Sequence, residues 1–181
     1  MPRKLPFLPD EHHYAIARVA ISAAQLDHAI ERLIYLLLAL PDQVAEFILR
    51  NINTNRLIEL LQTIFLCGVP EEESDIKALF QRIKVARQDR NDILHWFYEE
   101  SSIAGSAKLS DKRPFRKKPA REMTAKDVEA VADSLDQCQG ELVEWMAYYD
   151  WRKELSLHDV PAEQSDPPYW AIPAKFRPLG K

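Results

Sequence analysis

An arginine and a histidine five positions apart, Arg90 and His95, are the residues of this chain whose types and spacing best suit chemistry. A histidine titrates near neutrality and can move protons as a general acid or base. An arginine keeps its charge and can bind two phosphate oxygens at once. Asn91 follows the arginine and precedes the histidine by about one helical turn, so its amide can bond a phosphate or orient the imidazole. Together these three side chains suit phosphodiester chemistry that needs no metal ion.

Other common kinds of site lack the residues they require. Four glycines in 181 residues form neither GxGxxG nor GxxxxGK[ST], which excludes phosphate loops of these two types. Two cysteines, Cys67 and Cys138, are too few for a disulfide framework or a zinc ribbon, and neither HExxH nor CxxC occurs. We therefore expect no metal site and no cofactor, with both cysteines acting as small core residues. His12 and His13 are expected to be solvated near the N-terminus, and His28 to lie on the surface of the first helix.

The spacing of apolar residues predicts an all-α fold. Apolar side chains recur every three or four positions, as on one face of a helix, over residues 10–40, 42–51, 54–66, 70–98 and 124–151. Asn53 or Thr54 suits the start of the third helix, and Thr124 suits the start of the fifth. We predict an antiparallel bundle of about five helices, with a basic loop or hairpin inserted before the last one.

Proline and charge divide the chain into segments. Residues 1–9 contain three prolines and are predicted to be an irregular lead-in, residues 10–153 a single helical domain, and residues 154–181 a proline-rich irregular tail. Residues 99–122 form the predicted insertion. The longest apolar run, residues 33–40, is far shorter than the roughly 20 residues that cross a bilayer, and the N-terminus lacks the long apolar region of a secretory signal. We therefore expect a cytoplasmic protein with no membrane partner.

Two of the predicted helices carry charged residues where their apolar faces should continue. In the fourth helix the charged Arg87 and Arg90 and the polar Asn91 fall within about 60° of the centre of the apolar stripe. That stripe is predicted to consist of Ile76, Leu79, Phe80, Ile83 and Leu94. In the first helix Asp27 lies within the stripe and Glu31 at its edge. Buried charges are costly unless they are paired. We expect Asp27 to pair with Arg87 or Arg90, either as a purely structural ion pair or as support for a polar site.

The segment Arg90-Asn91-Asp92-Ile93-Leu94-His95 resembles the R-[polar]-x-x-x-H motif of the HEPN superfamily of small all-α domains. The helical setting over residues 10–150, and the aromatic Trp96 directly after His95, are similar too. Many HEPN domains are metal-independent RNases of defence, toxin–antitoxin and RNA-processing systems. The resemblance implies His95 as the proton-transfer residue and Arg90 as the phosphate clamp, with Asn91 in support.

The resemblance also implies partners. HEPN sites commonly form at a dimer interface, and on one ideal helix Arg90 and His95 point about 140° apart. Two copies that face each other can combine both residue types in one cleft. We therefore expect a homodimer whose interface includes the end of the fourth helix, RNA as substrate, and an antitoxin protein if the chain is a toxin.

A basic segment follows the motif. Residues 108–121 contain seven basic side chains and one acidic one, so they carry a net charge of +6 while the rest of the chain carries −10. Such a segment suits the phosphate backbone of RNA. The alternative is a solvated loop, or one that neutralises the acidic body of its own protein. The candidate RNA-binding residues are Lys112, Arg113, Arg116, Lys117 and Lys118.

Three hypotheses about function follow from the sequence. The first is a HEPN-like metal-independent endoribonuclease of a toxin or defence system. The second is a non-catalytic HEPN-like helical dimer that binds RNA or a protein partner and uses Arg90 and Asp27 as a structural pair. The third is a helical scaffold without a site. Resemblance to a family does not by itself decide between activity and binding, because one fold carries both.

Overall fold

The computed structural model describes residues 8–38, 41–110 and 119–157, and 81% of these residues are helical. The predicted all-α fold of about five helices is confirmed within these ranges. Most of the N-terminal lead-in and most of the C-terminal tail lie outside them. A 3₁₀ turn, Pro70–Glu72, precedes the fourth helix. The α-helices are α1 (Asp10–Leu38), α2 (Asp42–Asn51), α3 (Thr54–Gly68), α4 (Glu73–His95) and α5 (Ala125–Leu157).

A small antiparallel sheet lies between α4 and α5 in the chain, where a loop or a short hairpin was predicted. Its strands are β1 (Phe97–Glu100), β2 (Ser106–Ser110) and β3 (Arg121–Thr124), in the order β1-β2-β3. The turn from β1 to β2 uses Gly105 at a φ of 75°, a conformation that glycine adopts without strain. Ala107, Leu109 and Met123 are buried, which gives the sheet one apolar face.

Two helix ends differ from the prediction. The prediction that α4 continues to about Tyr98 is wrong, because α4 ends at His95 and the aromatic segment after it starts a strand. The amide of Trp96 closes the last turn by donating to the backbone oxygen of Asp92 at 3.1 Å. At the other end of the insertion, α5 continues to Leu157, beyond the predicted end at 151 and into the predicted tail.

The chain forms two compact units, whose boundaries fall inside α1, α4 and α5. The first consists of residues 1–25 and 83–136 and contains the sheet; the second consists of residues 26–82 and 137–181. The single domain over residues 10–153 stays a prediction. Buried apolar side chains fill each unit: Val19, Ala86, Ile93, Leu109 and Leu135 in the first, and Ile30, Leu61, Phe80, Leu142 and Trp145 in the second.

In the first unit the start of α1 contacts the sheet and α5. His12 was expected to be solvated, but it is 1% exposed, and its Nε2 donates to the backbone oxygen of Met123 at 3.1 Å. Arg18 lies 2.5 Å from Asp133 and 3.3 Å from Asp136. The prediction for His12 was wrong because β3, the strand that covers it, could not be read from the local pattern of α1.

A reciprocal cap begins α5. The amide and hydroxyl of Thr124 both donate to an Asp127 carboxylate oxygen at 2.7 Å, and the Asp127 amide donates to the Thr124 hydroxyl at 3.2 Å. These hydrogen bonds lower the pKa of the Asp127 carboxyl, with the Thr124 hydroxyl as the largest cause. Thr124 is therefore the N-terminal cap that the sequence predicted.

We expect Thr124→Ala to lower the free energy of unfolding at pH 7 by about 0.5–2 kcal/mol, the usual cost of losing such a cap. Since the cap depresses the carboxyl pKa in the folded state, its contribution is full above about pH 4, where an unfolded carboxyl is ionised. That contribution is lost as the pH falls further, through the lowered pKa. Urea unfolding of both proteins at several pH values measures this, and a difference independent of pH would contradict it.

In the second unit α3 is fixed at both of its ends. The Asn53 side-chain oxygen accepts from the amide of Arg56 at 3.0 Å, which confirms Asn53 as the predicted cap. Near the other end the ring of Phe65 lies 6.0 Å from that of Phe80 and 5.6 Å from that of Tyr149, measured between centroids. These aromatic contacts join α3 to α4 and α5 within this unit.

Gly68, the last residue of α3, faces the ring of Tyr149. A Cβ at this position would overlap that ring, with Tyr149 Cδ2 at 2.8 Å. We expect Gly68→Ala to lower the free energy of unfolding by about 1–3 kcal/mol, as overpacking does. Gly140→Ala is the matched control, because nothing lies within 4 Å of its Cβ; in mid-helix it should be stabilising by about 0.5–1 kcal/mol. Urea denaturation measures both, and a Gly68→Ala protein as stable as wild type would contradict the expected clash.

Candidate active site

The last turns of α4 bring Arg90 and Asn91 into direct contact. Arg90 Nη1 donates to Asn91 Oδ1 at 2.9 Å, and both side chains are half-buried. His95 is exposed and lies one helical turn beyond Asn91 on the same side of α4. On an ideal helix Asn91 lies about 100° from Arg90 and about 40° from His95, so the amide stands between the arginine and the histidine.

The apolar stripe of α4 does not run through the motif as expected. Ala86 and Ile93 are buried, whereas Leu94, which was predicted to be in the stripe, is half-buried. Over the last turns of α4 the buried positions therefore lie on a different side of the helix, away from Arg87 and Arg90. Both arginines are half-buried as a result, and the Nε atom of the Arg90 guanidinium is itself buried.

Asp92 is a buried carboxylate inside the motif that the sequence did not single out. It is 5% exposed, and its Oδ1 accepts from Gln88 Nε2 at 2.7 Å. Arg121 of β3 donates to Asp89 Oδ1 at 3.0 Å and lies 4.0 Å from Asp92 Oδ2. On a helical wheel Asp92 lies about 160° from the predicted stripe. No local pattern could reveal its burial, because β3 supplies one of the side chains around it.

A second contact ties the sheet to the motif. The hydroxyl of Tyr98, in β1, donates to the backbone oxygen of Ile93 at 2.7 Å, and burial raises the pKa of this phenol. This bond and the one from Arg121 to Asp89 fix the two edge strands, β1 and β3, to the last turns of α4. The residues that follow His95 are therefore held in place by the same helix turns that carry Arg90.

The sheet also contains both ends of the basic segment, because Lys108 lies in β2 and Arg121 begins β3. Ser110, the last residue of β2, pairs with Phe97, two residues after His95. Arg121, the first residue of β3, is bonded to Asp89. Both ends of the segment thus lie beside the end of α4. The candidate RNA-binding residues themselves, Lys112, Arg113, Arg116, Lys117 and Lys118, lie outside the described residues.

The candidate supporting residues, Asp27, Glu31 and Arg87, lie on α1 and α4. Asp27 and Glu31 are half-buried on the part of α1 that belongs to the second unit, whereas Arg87 belongs to the first. The pairing of Asp27 with Arg87 or Arg90 stays a prediction.

The two cysteines differ in environment. Cys138 is buried as expected, and burial raises the pKa of its thiol to about 11. Cys67 is exposed, so its expected place in the core was wrong. Within residues 8–38, 41–110 and 119–157, no group of three His, Cys, Asp or Glu side chains is placed to hold a metal ion. In those same ranges, no helix has both the length and the apolar character needed to span a membrane.

Comparisons of the chain with models of protein families, with curated proteins and with solved structures found no match. Its function is therefore inferred from its own residues.

Proposed function

We propose that this protein is a HEPN-type, metal-independent endoribonuclease that acts in the cytoplasm as part of a toxin or defence system. The observation that carries the proposal is the hydrogen bond from Arg90 to Asn91 beside an exposed His95 at the end of α4. It places a permanent cation, an amide and a titratable imidazole on neighbouring turns of one helix. RNA cleavage by an internal nucleophile needs proton transfer and stabilisation of the charge that develops on phosphate, and these groups can supply both without a metal ion.

The chemistry uses the ribose 2′-hydroxyl. Its oxygen attacks the adjacent phosphorus, the bond to the 5′-oxygen breaks, and the products carry a 2′,3′-cyclic phosphate and a 5′-hydroxyl. His95 takes the proton from the nucleophile or supplies one to the leaving oxygen. Arg90 binds the non-bridging oxygens as charge develops on them. Asn91 holds the guanidinium in place through the bond of 2.9 Å.

A homodimer completes the site in this proposal. One proton must be removed and one delivered, and a single His95 at the exposed end of α4 performs one of these roles at a time. A second copy, related by a two-fold axis, brings a second histidine and a second arginine to the same phosphate. An antitoxin protein would then control the activity by covering this surface.

The basic segment supplies RNA binding in this proposal. Its two ends lie in β2 and β3, beside the end of α4. Changing Lys112, Arg113, Arg116, Lys117 and Lys118 together to serine should weaken RNA binding and flatten its dependence on salt, since fewer counterions are released. Unchanged binding would leave the segment as a solvated loop.

Expression in a bacterial host tests the proposal. We expect the wild-type chain to degrade cellular RNA and arrest growth, and the His95→Ala chain to do neither. His28→Ala is the matched control, because His28 is also exposed on a helix but lies outside the motif; it should behave as wild type. If wild type and His95→Ala bind RNA equally and neither degrades it, the non-catalytic dimer is the better explanation.

A further inference from the structure

One face of α1 is exposed and carries no charge over several turns. Between Glu11 and His28 its exposed positions are Tyr14, Ala17, Ala20, Ile21, Ala24 and Gln25. Tyr14 is 70% and Ile21 60% exposed, two of the largest exposures of apolar side chains among the described residues. The uncharged stretch covers roughly 16 Å of helix. We call these six residues the α1 face.

A helix surface that meets only water normally carries charge on most turns. The exposed side of α4 follows this rule, with Lys77, Arg82 and Lys84 among its exposed positions. The one arginine that borders the α1 face, Arg18, is held against Asp133 and Asp136 of α5. Exposed aromatic and aliphatic side chains without charge among them are typical of a protein interface.

The charges on either side of the α1 face are self-complementary. Asp10 and Glu11 are exposed in the first turn of α1, and Arg32 is exposed beyond the face. Asp10 lies eleven residues before Ile21 and Arg32 eleven residues after it. When two α1 helices pack antiparallel about a two-fold axis at Ile21, the acidic end of each meets the basic end of the other. A parallel pair would instead bring like charges together.

We propose that the α1 face is a contact between two copies of this chain, packed antiparallel about Ile21. The three alanines let the helices approach closely, and the Tyr14 ring covers the helix of the second copy. This contact is distinct from the one proposed at the end of α4. It does not depend on RNA cleavage, so it can fail while the proposed function stands, and the reverse also holds.

The mass of the assembly in solution tests the contact. We expect Ile21→Glu to halve the mass that light scattering gives for the wild-type chain, because two carboxylates would meet on the axis. Val143→Glu is the matched control: Val143 is 51% exposed on α5, outside both proposed contacts, and its substitution should leave the mass unchanged. Since Ile21 is exposed, circular dichroism should report the same helix content for both variants as for wild type.

Cross-linking tests the antiparallel register. In a Cys67→Ser background, which removes the exposed native thiol, mild oxidation of Ile21→Cys should give a disulfide-linked dimer, because the two thiols meet on the axis. Tyr14→Cys in the same background should not cross-link, because the antiparallel arrangement separates its two copies by about 21 Å along the helices, whereas a parallel pair would bring them together. Val143→Cys should stay uncross-linked under the same conditions. A monomeric wild-type chain, or an Ile21→Glu assembly of unchanged mass, would overturn the proposal.

Discussion

Replacing His95 with alanine should lower the rate of RNA cleavage by about 10²–10⁴-fold, the range that a positioned general acid or base contributes. The side chain is exposed at the end of α4, so its removal leaves the core intact. The rate is measured with purified protein in excess over a short single-stranded RNA, which isolates the chemical step. Urea unfolding, measured in parallel, should give His95→Ala the same free energy of unfolding as wild type. Equal cleavage rates for wild type and His95→Ala, with folding unchanged, would rule out the proton-transfer role of His95.

Arginine at position 90 should matter through its geometry as well as its charge. Arg90→Lys retains the charge but loses the planar pair of donors, so we expect it to recover only part of the activity that Arg90→Ala loses. The loss in Arg90→Ala should be about 10²–10³-fold, as for other groups that stabilise developing oxyanion charge. Arg56→Ala is the matched control, since Arg56 is exposed on α3 and paired with Glu59 at 2.8 Å. If Arg56→Ala lost as much activity as Arg90→Ala, the loss would reflect the removal of any surface cation and not a specific role of Arg90.

Replacing Phe65 with alanine should have the largest effect on stability, a loss of about 3–5 kcal/mol in the free energy of unfolding. Phe65 is fully buried, and its ring contacts those of Phe80 and Tyr149. Alanine would leave a cavity between α3 and its two neighbours. A loss of this size is a large fraction of the stability of a typical domain. Urea or thermal unfolding measures it.

Phe47→Ala provides the matched control for Phe65→Ala, because the substitution is the same and only the environment differs. Phe47, on α2, is 68% exposed, so we expect its loss to change the free energy of unfolding by less than about 0.5 kcal/mol. Similar losses for both variants would show that α2 is covered in the native molecule. They would contradict the described packing of the second unit.

The parts of the fold that sequence could predict are those set by local chemistry. Asn53 and Thr124 bond to amides three residues further along, so a short stretch of sequence contains both partners of each cap. The apolar repeat marks all five helices for the same reason. The end of α4 and the three strands were less predictable, because the strands are stabilised by pairing with residues distant in the chain.

The same division applies to the candidate site. Arg90 and Asn91 are neighbours in sequence, and their contact is of the local kind. The burial of Asp92 and of His12 instead involves β3, through Arg121 and through the backbone of Met123. A helical wheel drawn for one helix cannot include a strand that packs against it. Patterns within single helices therefore identified the motif but not the side chains that surround it.

The ends of the RNA fragments formed in EDTA test the central claim most directly. Purified wild-type protein should cleave single-stranded RNA with EDTA present and leave 2′,3′-cyclic phosphate and 5′-hydroxyl ends, because the 2′-oxygen is the nucleophile and Arg90 and His95 replace a metal ion. An RNA with 2′-deoxyribose at the cleaved nucleotide should resist. Cleavage that EDTA abolishes, fragments with 5′-phosphate ends, or intact RNA after incubation with a folded, dimeric protein would contradict the account.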